Sequence, residues 1–308
     1  MEHPIRLRDF VIDVDGCIYA VSVYDNDERV GCILRYLPHP DGDRIAPDGT
    51  RYQKIEFEEA YTWVFRHRPE WADTVHRIPR SAISCILKPE EEMGAIMQRD
   101  KRVQRLMNLF SLPDRSYGCT GSLLCGLEDE TSDIDLVVYG DHWFSARRQL
   151  EEAVKAGKIP EMSEEMWRKV YNKRIPEITF DDFVTHEARK YNRGEYEGTY
   201  FDILFSRSYD QVNAVPIRKG EPMKSEVIEA RVTDASLAFD SPSVYHIDHE
   251  EISTVLSFTH TYAGQACAGE VIEAAGVVED MGDTQWLIVG TSREARGEYI
   301  ISLTLLDR

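Results

Sequence analysis

The spacing of apolar and polar positions predicts β-strands first and a helix later in residues 1–90. Two apolar runs flank Asp15-Gly16, a favourable hairpin turn, in FVIDVDGCIYAVSVY. A second pair of strands is predicted around a loop dense in Pro, Gly and Asp, in GCILRYLPHPDGDRIAPDGTRYQKIEF. Helical spacing then appears in FEEAYTWVFRHRPEW. We therefore predict a β-rich α+β domain over residues 1–90.

Residues 91–220 alternate between helical and strand-like patterns. Apolar residues at helical intervals predict one connecting helix that ends at Pro113, in EEEMGAIMQRDKRVQRLMNLFSLP. Residues 115–140 read as strand, short helix, strand. Amphipathic helices follow, the last being FDDFVTHEARKYNRG with Gly194 as its end, and then a strand, TYFDILFSR. These elements predict a second domain with a mixed sheet and helices.

The pattern changes after Pro222. Short runs rich in Val, Ile and Thr recur with glycines between them, as in EVIEARVTDA, GEVIEAAGVVEDM and TQWLIVGTS. Strands at such spacing are typical of a small antiparallel barrel or sandwich. We therefore expect an α+β protein of three domains, 1–90, 91–220 and 221–308.

The composition narrows the class of protein. The chain has 36 basic and 55 acidic residues and a net charge of −19, so its surface should repel a long nucleic acid unless basic residues cluster locally. The acidity is also compatible with a saline cytoplasm. The six cysteines form no CxxC pair, which argues against a zinc ribbon. No apolar run approaches the roughly 20 residues of a membrane span, and we expect a cytoplasmic protein.

The candidate chemistry lies in YGCTGSLLCGLEDETSDIDLVVYG, residues 117–140. Residues two apart in a strand face the same side, so Asp133 and Asp135 should present two carboxylates together. Such a pair suits Mg²⁺ or Mn²⁺, and Asp202, within the strand-like run YFDILF, is the candidate third ligand. Gly121 would let the backbone approach phosphate oxygens, and Ser122 would cap the next helix or donate its hydroxyl.

Plainer interpretations of these residues stay open. A Gly-Ser pair is often an ordinary helix cap, and Asp-x-Asp is often a strand end that faces solvent. Asp202 could instead form a buried ion pair with Arg207 or a nearby lysine.

The spacing of Gly121-Ser122, Gly126 and Ser132-Asp133-Ile134-Asp135-Leu136 resembles the signature of the DNA polymerase beta nucleotidyltransferase superfamily. Asp202 resembles the third metal carboxylate of that superfamily. More broadly, LRYLPHPDGDR, HEARKYNRGEYEGTYFDILFSR and GTSREARGEYI resemble a full-length archaeal family of predicted nucleotidyltransferases. The resemblance implies a polymerase-beta-like domain, a divalent metal and a nucleoside triphosphate such as ATP, with Asp133, Asp135 and Asp202 as catalytic metal ligands.

This chain departs from many small members of the superfamily, which have a basic residue soon after Gly-Ser. Leu123 and Leu124 stand there instead, so a cation must come from elsewhere. On a continuous helix, four basic residues would share one face and could contact the triphosphate or the acceptor: His186, Arg189, Lys190 and Arg193. A solvated helix face is the other interpretation of the same pattern.

Two functions from different classes follow from the sequence. The first is a Mg²⁺-dependent nucleotidyltransferase that moves a nucleoside monophosphate to an acceptor hydroxyl on an RNA 3′ end, a metabolite or a protein. A compact RNA such as tRNA stays open as a partner. The second is a non-catalytic nucleotide- or RNA-binding regulatory protein. The sequence fixes neither the base, the acceptor nor the oligomeric state.

Overall fold

Three β-sheets organise the parts of the chain that the computed structural model describes, residues 4–213, 219–291 and 297–307. The contacts between residues divide the chain into two units. The first comprises Met1–Pro160 and Asn192–Val215, and the second comprises Glu161–Tyr191 and Pro216–Arg308. The division into three domains at residues 90 and 220 stays a prediction.

The first sheet lies in the first unit and is wholly antiparallel. Its order is β4-β5-β3-β2-β1-β7, and β6 also pairs with β3. Its strands are β1 (Phe10–Asp13), β2 (Ile18–Val21), β3 (Arg29–Pro38), β4 (Arg44–Ile45), β5 (Arg51–Lys54), β6 (His76–Pro79) and β7 (Ile83–Leu87). The predicted hairpin at Asp15-Gly16 is confirmed, because β1 and β2 pair and Gly16 has a left-handed φ of 82°. Helix α1 (Phe57–His67) is confirmed as well and buries Ala60 and Val64 in the core of this sheet.

The predicted connecting helix is wrong in one respect, since it is two helices. Helix α2 (Pro89–Arg99) ends before Asp100, and α3 (Lys101–Met107) begins after it. Asp100 has an extended backbone, and its side chain accepts a 2.8 Å hydrogen bond from the Arg102 amide. An aspartate that caps the next helix in this way interrupts a pattern that periodicity alone reads as continuous.

The second sheet carries the strand–helix–strand segment, as predicted. Its order is β10-β11-β9-β8, with β9 and β11 parallel and the outer pairs antiparallel. Its strands are β8 (Tyr117–Cys119), β9 (Ile134–Tyr139), β10 (Arg193–Tyr196) and β11 (Thr199–Ser206). Helix α4 (Gly121–Cys125) follows β8, and α5 (Asp141–Lys155) buries Trp143 and Leu150. The Trp143 indole donates to the Ile203 carbonyl at 3.0 Å, which fixes α5 on β11.

The second unit contains helices α6 (Glu164–Arg174) and α7 (Phe180–Ala188) and a closed five-stranded barrel. The barrel order is β12-β13-β14-β16-β15, and β15 pairs with β12 again; β17 extends from β15. The strands are β12 (Glu221–Asp234), β13 (Ser243–Asp248), β14 (Ile252–Ser257), β15 (Val271–Asp280), β16 (Gln285–Val289) and β17 (Tyr299–Ser302). The predicted barrel is confirmed, but it is not fully antiparallel, because β14 and β16 run parallel.

No helix within residues 4–213, 219–291 and 297–307 combines the length and apolar character needed to cross a membrane.

Candidate active site

The parallel pair β9 and β11 places two carboxylates side by side. In the register of these strands Asp135 lies opposite Asp202, and Ile134 lies opposite Phe201. Partners in register project from the same face of a sheet, so both carboxylates share one face while the buried Ile134 and Phe201 project from the other. We call Asp135 and Asp202 the carboxylate pair.

Asp133, the third predicted carboxylate, precedes β9 and is partly buried. The loop that leads to it is held by Arg102, which donates to the carbonyls of Glu130 at 2.8 Å and Ser132 at 3.1 Å. Asp129 also accepts hydrogen bonds from the amide and hydroxyl of Thr131. Residues 129–132, which lead to Asp133, therefore form a turn that is held by hydrogen bonds.

Gly121 brings the start of α4 directly against the Asp135 carboxylate. Its φ of 69° lies in the left-handed region, and a Cβ placed there would lie 2.7 Å from Asp135 Oδ2. The preceding Thr120 amide donates to the Asp135 carbonyl at 2.9 Å. A side chain at Gly121 would both strain the backbone and collide with the carboxylate. Ser122 is partly exposed next to it, whereas Leu123 and Leu124 are buried.

Asp202 is partnered by an arginine other than the predicted Arg207. Arg193 on β10 lies opposite Asp202 in register, and its Nη1 is 3.6 Å from Asp202 Oδ1. The Arg193 side chain is 2% exposed and that of Asp202 is 14% exposed. Asp202 Oδ1 is buried, and within the described residues it accepts no hydrogen bond. Arg207 instead donates to the Val212 carbonyl and lies over the Tyr24 ring.

Arg8 is a second cation at the carboxylate pair, and the sequence analysis missed it. Its guanidinium interacts electrostatically with Asp135 and Asp202, which partly offset the effect of burial in lowering the Arg8 pKa. Its backbone has a φ of 80°. The Arg8 carbonyl accepts a 2.7 Å hydrogen bond from the Thr120 hydroxyl, directly before Gly121. No motif marks this residue, since it lies far from the Asp133–Asp135 segment in the sequence.

The predicted basic helix face does not form. Helix α7 ends at Ala188, Tyr191 has a left-handed φ of 46°, and Arg193 begins a strand. The helical prediction was wrong because the left-handed turn at Tyr191 ends the helical spacing before Gly194.

Three of these basic residues make contacts within the second unit. Lys190 pairs with Glu187 and donates to the Thr261 carbonyl, and Arg189 pairs with Glu270 at 2.6 Å. His186 is fully buried; Nδ1 donates to the Asp182 carbonyl and Nε2 accepts from the Ser302 amide at 2.9 Å. Burial lowers the pKa of His186 to about 4. Such contacts are typical of residues that hold a fold together.

A divalent metal ion would need several oxygen or nitrogen donors that converge on one point. Across the described ranges, no group of three or more His, Cys, Asp or Glu side chains is arranged to hold a metal ion. The carboxylate pair nevertheless offers only hard oxygen donors, one of them the buried Asp202 Oδ1 without a hydrogen bond. These two residues fit a divalent cation such as Mg²⁺, which prefers carboxylate and phosphate oxygens.

Comparison with known proteins decides the family. Residues 101–195 match the family described as "Nucleotidyltransferase domain". The chain is also 34% identical to the uncharacterized protein MJ1086 of Methanocaldococcus jannaschii, over 334 aligned positions that cover 96% of this chain and 98% of the relative. The chain belongs to the polymerase-beta-like nucleotidyltransferase superfamily.

The matched nucleotidyltransferase domain includes Gly121, Ser122, Asp133, Asp135 and Arg193. Asp202 and Arg8 lie outside the matched residues. In the structure Asp202 lies opposite Asp135, and Arg8 interacts electrostatically with both carboxylates. The candidate site therefore includes residues before and after the matched domain. Of the motifs that suggested the archaeal family, residues 292–296 of GTSREARGEYI lie outside the described residues.

Proposed function

We propose that this protein transfers a nucleoside monophosphate from a nucleoside triphosphate to an acceptor hydroxyl and releases pyrophosphate. The observation that carries the proposal is the register of β9 and β11, which sets Asp135 beside Asp202 and next to the glycine at the start of α4. This is the arrangement in which carboxylates and phosphate oxygens can share a cation. Membership of the nucleotidyltransferase superfamily supports the same reaction class.

Asp135 and Asp202, joined by Asp133, are the residues that would hold Mg²⁺ or Mn²⁺. When bound, such an ion neutralises charge on the phosphates and favours ionisation of the attacking hydroxyl. Asp202 Oδ1, which accepts no hydrogen bond among the described residues, would accept one from the acceptor hydroxyl and orient it toward the α-phosphorus. The new P–O bond then forms as the bond to the leaving pyrophosphate breaks, and the hydroxyl proton passes to solvent.

Gly121 and Ser122 would receive the β- and γ-phosphates. The absence of a side chain at Gly121 leaves room for phosphate oxygens beside the backbone, and the partly exposed Ser122 hydroxyl can donate to them. Arg193 is a positioning residue in this proposal, because it fixes the Asp202 carboxylate across the strand pair. The ion pairs of Arg189 and Lys190 and the buried hydrogen bonds of His186 favour a structural role for those three residues.

The acceptor class and the base stay predictions: an RNA 3′ end, a metabolite or a protein hydroxyl, with ATP as the first nucleotide to test. Cytoplasmic location and a compact RNA partner also stay predictions. The non-catalytic alternative predicts that the protein binds a nucleoside triphosphate and never turns it over.

The proposal is tested by incubating the protein with each α-labelled nucleoside triphosphate, Mg²⁺ or Mn²⁺, and panels of RNA, metabolite and protein acceptors. We expect label transfer and pyrophosphate release by the wild type, and a loss of at least about a hundredfold in Asp202→Asn. Asp114→Asn, which changes an exposed carboxylate before β8, is the matched control and should be fully active. Label transfer that survives both Asp135→Asn and Asp202→Asn would contradict the site assignment.

A further inference from the structure

Arg8 reaches the carboxylate pair from a segment that is fixed by its neighbours. The Arg6 guanidinium lies between the rings of Tyr139 and Tyr209, 3.5 and 3.8 Å from their centroids. On the other side of Arg8, Asp9 forms a buried 2.9 Å ion pair with Lys88. The path of this segment is therefore set by residues other than Arg8.

The backbone conformation of Arg8 gives no reason for an arginine at this position. A φ of 80° is unfavourable for any residue with a side chain and costs glycine nothing. The conformation is held in place by the Thr120 hydroxyl at the Arg8 carbonyl and by the Arg8 amide, which donates to Val21 at 3.2 Å. Backbone strain of this kind is common at sites that bind ligands. The reason for arginine must therefore lie in what its guanidinium contacts.

The Arg8 guanidinium has hydrogen-bonding capacity left over. It carries five N–H donors, and its Nε is buried without a hydrogen-bond acceptor in the described parts of the chain. The neighbouring charges are Asp135 and Asp202, the two carboxylates that would take a cation. A charged donor without an acceptor, beside a pair of metal-binding carboxylates, is suited to an incoming anion.

Three other basic residues considered as phosphate contacts are paired with carboxylates. Leu123 and Leu124 follow the Gly-Ser pair and are buried, and Arg193 faces Asp202. Arg189 and Lys190 are paired with Glu270 and Glu187. Arg8, whose backbone is hydrogen-bonded to Thr120 directly before the Gly-Ser pair, can supply the positive charge that Leu123 and Leu124 do not.

We propose that Arg8 binds the triphosphate of the incoming nucleotide and that, while no nucleotide is bound, it neutralises Asp135 and Asp202. The proposal rests on the nucleotidyltransferase function proposed above. It implies an exchange, in which the guanidinium turns from the carboxylates to phosphate oxygens as the metal and nucleotide arrive together. Binding of a metal ion alone should accordingly be weakened by Arg8, whereas binding of the metal–triphosphate complex should be strengthened.

The test compares Arg8→Gly with Arg115→Gly. Arg115 is exposed and, like Arg8, has a left-handed φ, here 63°. It precedes β8, whereas Thr120 and the candidate site follow β8, so Arg115→Gly controls for the relief of backbone strain alone. Three quantities are measured by titration calorimetry and thermal unfolding: the affinity for Mn²⁺ alone, the affinity for tripolyphosphate or ATP with Mn²⁺, and Tm.

We expect Arg8→Gly to weaken tripolyphosphate and ATP binding about ten- to a hundredfold and to tighten Mn²⁺ binding. In Tm, relief of the strained φ of 80° should offset the loss of the counter-ion to Asp135 and Asp202. Arg115→Gly should leave both affinities unchanged. Arg8→Lys keeps the charge with fewer donors and should lose part of the triphosphate affinity. It serves as the test variant if Arg8→Gly does not fold.

The outcomes separate this proposal from the function it rests on. If Mn²⁺ binding tightens in Arg8→Gly while tripolyphosphate and ATP binding do not change, Arg8 is only a counter-ion and the proposal is overturned. If the wild type binds neither Mn²⁺ nor either phosphate ligand, the proposed function fails and this inference fails with it.

Discussion

Two clusters of buried charge, one in each unit, differ in how completely their members are paired. In the second unit Glu187 and Lys190 are each 1% exposed and pair with one another, and Glu187 also lies 3.4 Å from Arg174. Lys190 donates in addition to the Thr261 carbonyl. In the first unit Asp202 Oδ1 and Arg8 Nε are buried without a hydrogen bond in the described residues. We call Glu187, Lys190 and Arg174 of the second unit the Glu187 cluster.

The difference distinguishes charges that stabilise the fold from charges that we propose bind a ligand. Desolvation of an ion is offset when its partners are close and its remaining hydrogen-bonding atoms are satisfied, as in the Glu187 cluster. The desolvation of Asp202 is offset less well, because Arg193 Nη1 lies 3.6 Å from Asp202 Oδ1. Of the basic residues singled out in the sequence, Lys190 thus belongs to the Glu187 cluster and Arg193 to the candidate site. Arg8, which no motif marks, also belongs to the candidate site.

The sharpest contrast is expected between Glu187→Gln and Asp202→Asn. Loss of the Glu187 charge leaves Lys190 buried without its counter-ion and should lower the free energy of unfolding by about 3–5 kcal/mol. Asp202→Asn should lower it by less, because the ion pair that it removes, with Arg193, spans 3.6 Å and Asp202 Oδ1 gives up no hydrogen bond. Urea denaturation measures both. Equal destabilisation by the two substitutions would show that the clusters do not differ as described.

The free energy of unfolding should depend on pH through the buried His186 of the second unit. The pKa of His186 falls from 6.5 to about 4 on burial, so the unfolded chain binds the proton more readily than the folded chain. The stability that comes from the neutral imidazole is fully present above pH 6.5 and is lost as the pH falls toward 4. In that window His186→Gln should remove a slope of about 1.4 kcal/mol per pH unit from the free energy of unfolding.

His76, in the first unit, should show the same pH dependence as His186. Burial also lowers its pKa to about 4, so His76→Gln should remove a slope of the same sign over the same window. Denaturation in urea at several pH values checks both variants. Slopes that persist unchanged in both would mean that these imidazoles are not buried in their neutral form.

A small effect on stability, with a large effect on activity, is expected for Gly121→Ala. Its φ of 69° should cost about 1–2 kcal/mol in a residue with a Cβ, and that Cβ would displace the Asp135 carboxylate. Gly49→Ala is the control, since Gly49 has a φ of 88° with no atom within 4 Å of its added Cβ. Both variants should lose similar stability, and only Gly121→Ala should lose label transfer. Full activity in Gly121→Ala would remove Gly121 from the site.

The sequence predicted the parts of the site that depend on local pattern. Apolar runs around Asp135 and Asp202 indicated two strands, and the spacing from Gly121 to Asp133 resembled a superfamily signature. The parallel pairing and register of β9 and β11 are long-range properties that no local pattern contains. A charge within the strand-like run YFDILF, and then the family resemblance, indicated Asp202 as a third ligand, but neither predicted its pairing opposite Asp135.

The parts that the sequence did not predict depend on backbone conformation and on distant contacts. The left-handed residue Tyr191 ended a helix that spacing would have continued, and Asp100 divided another. The parallel pairing of β14 with β16 joins strands that β15 separates in the sequence. Arg8 depends on both factors, since its left-handed backbone and the Thr120 hydrogen bond bring it to carboxylates encoded far downstream.

The most direct test of the central claim is anomalous diffraction from crystals soaked with Mn²⁺ and a non-hydrolysable nucleoside triphosphate. The account predicts a manganese peak coordinated by both Asp135 and Asp202, with the triphosphate against Gly121 and Ser122 and the Arg8 guanidinium on its oxygens. A nucleotide bound with its manganese elsewhere, and with neither carboxylate as a ligand, would contradict it.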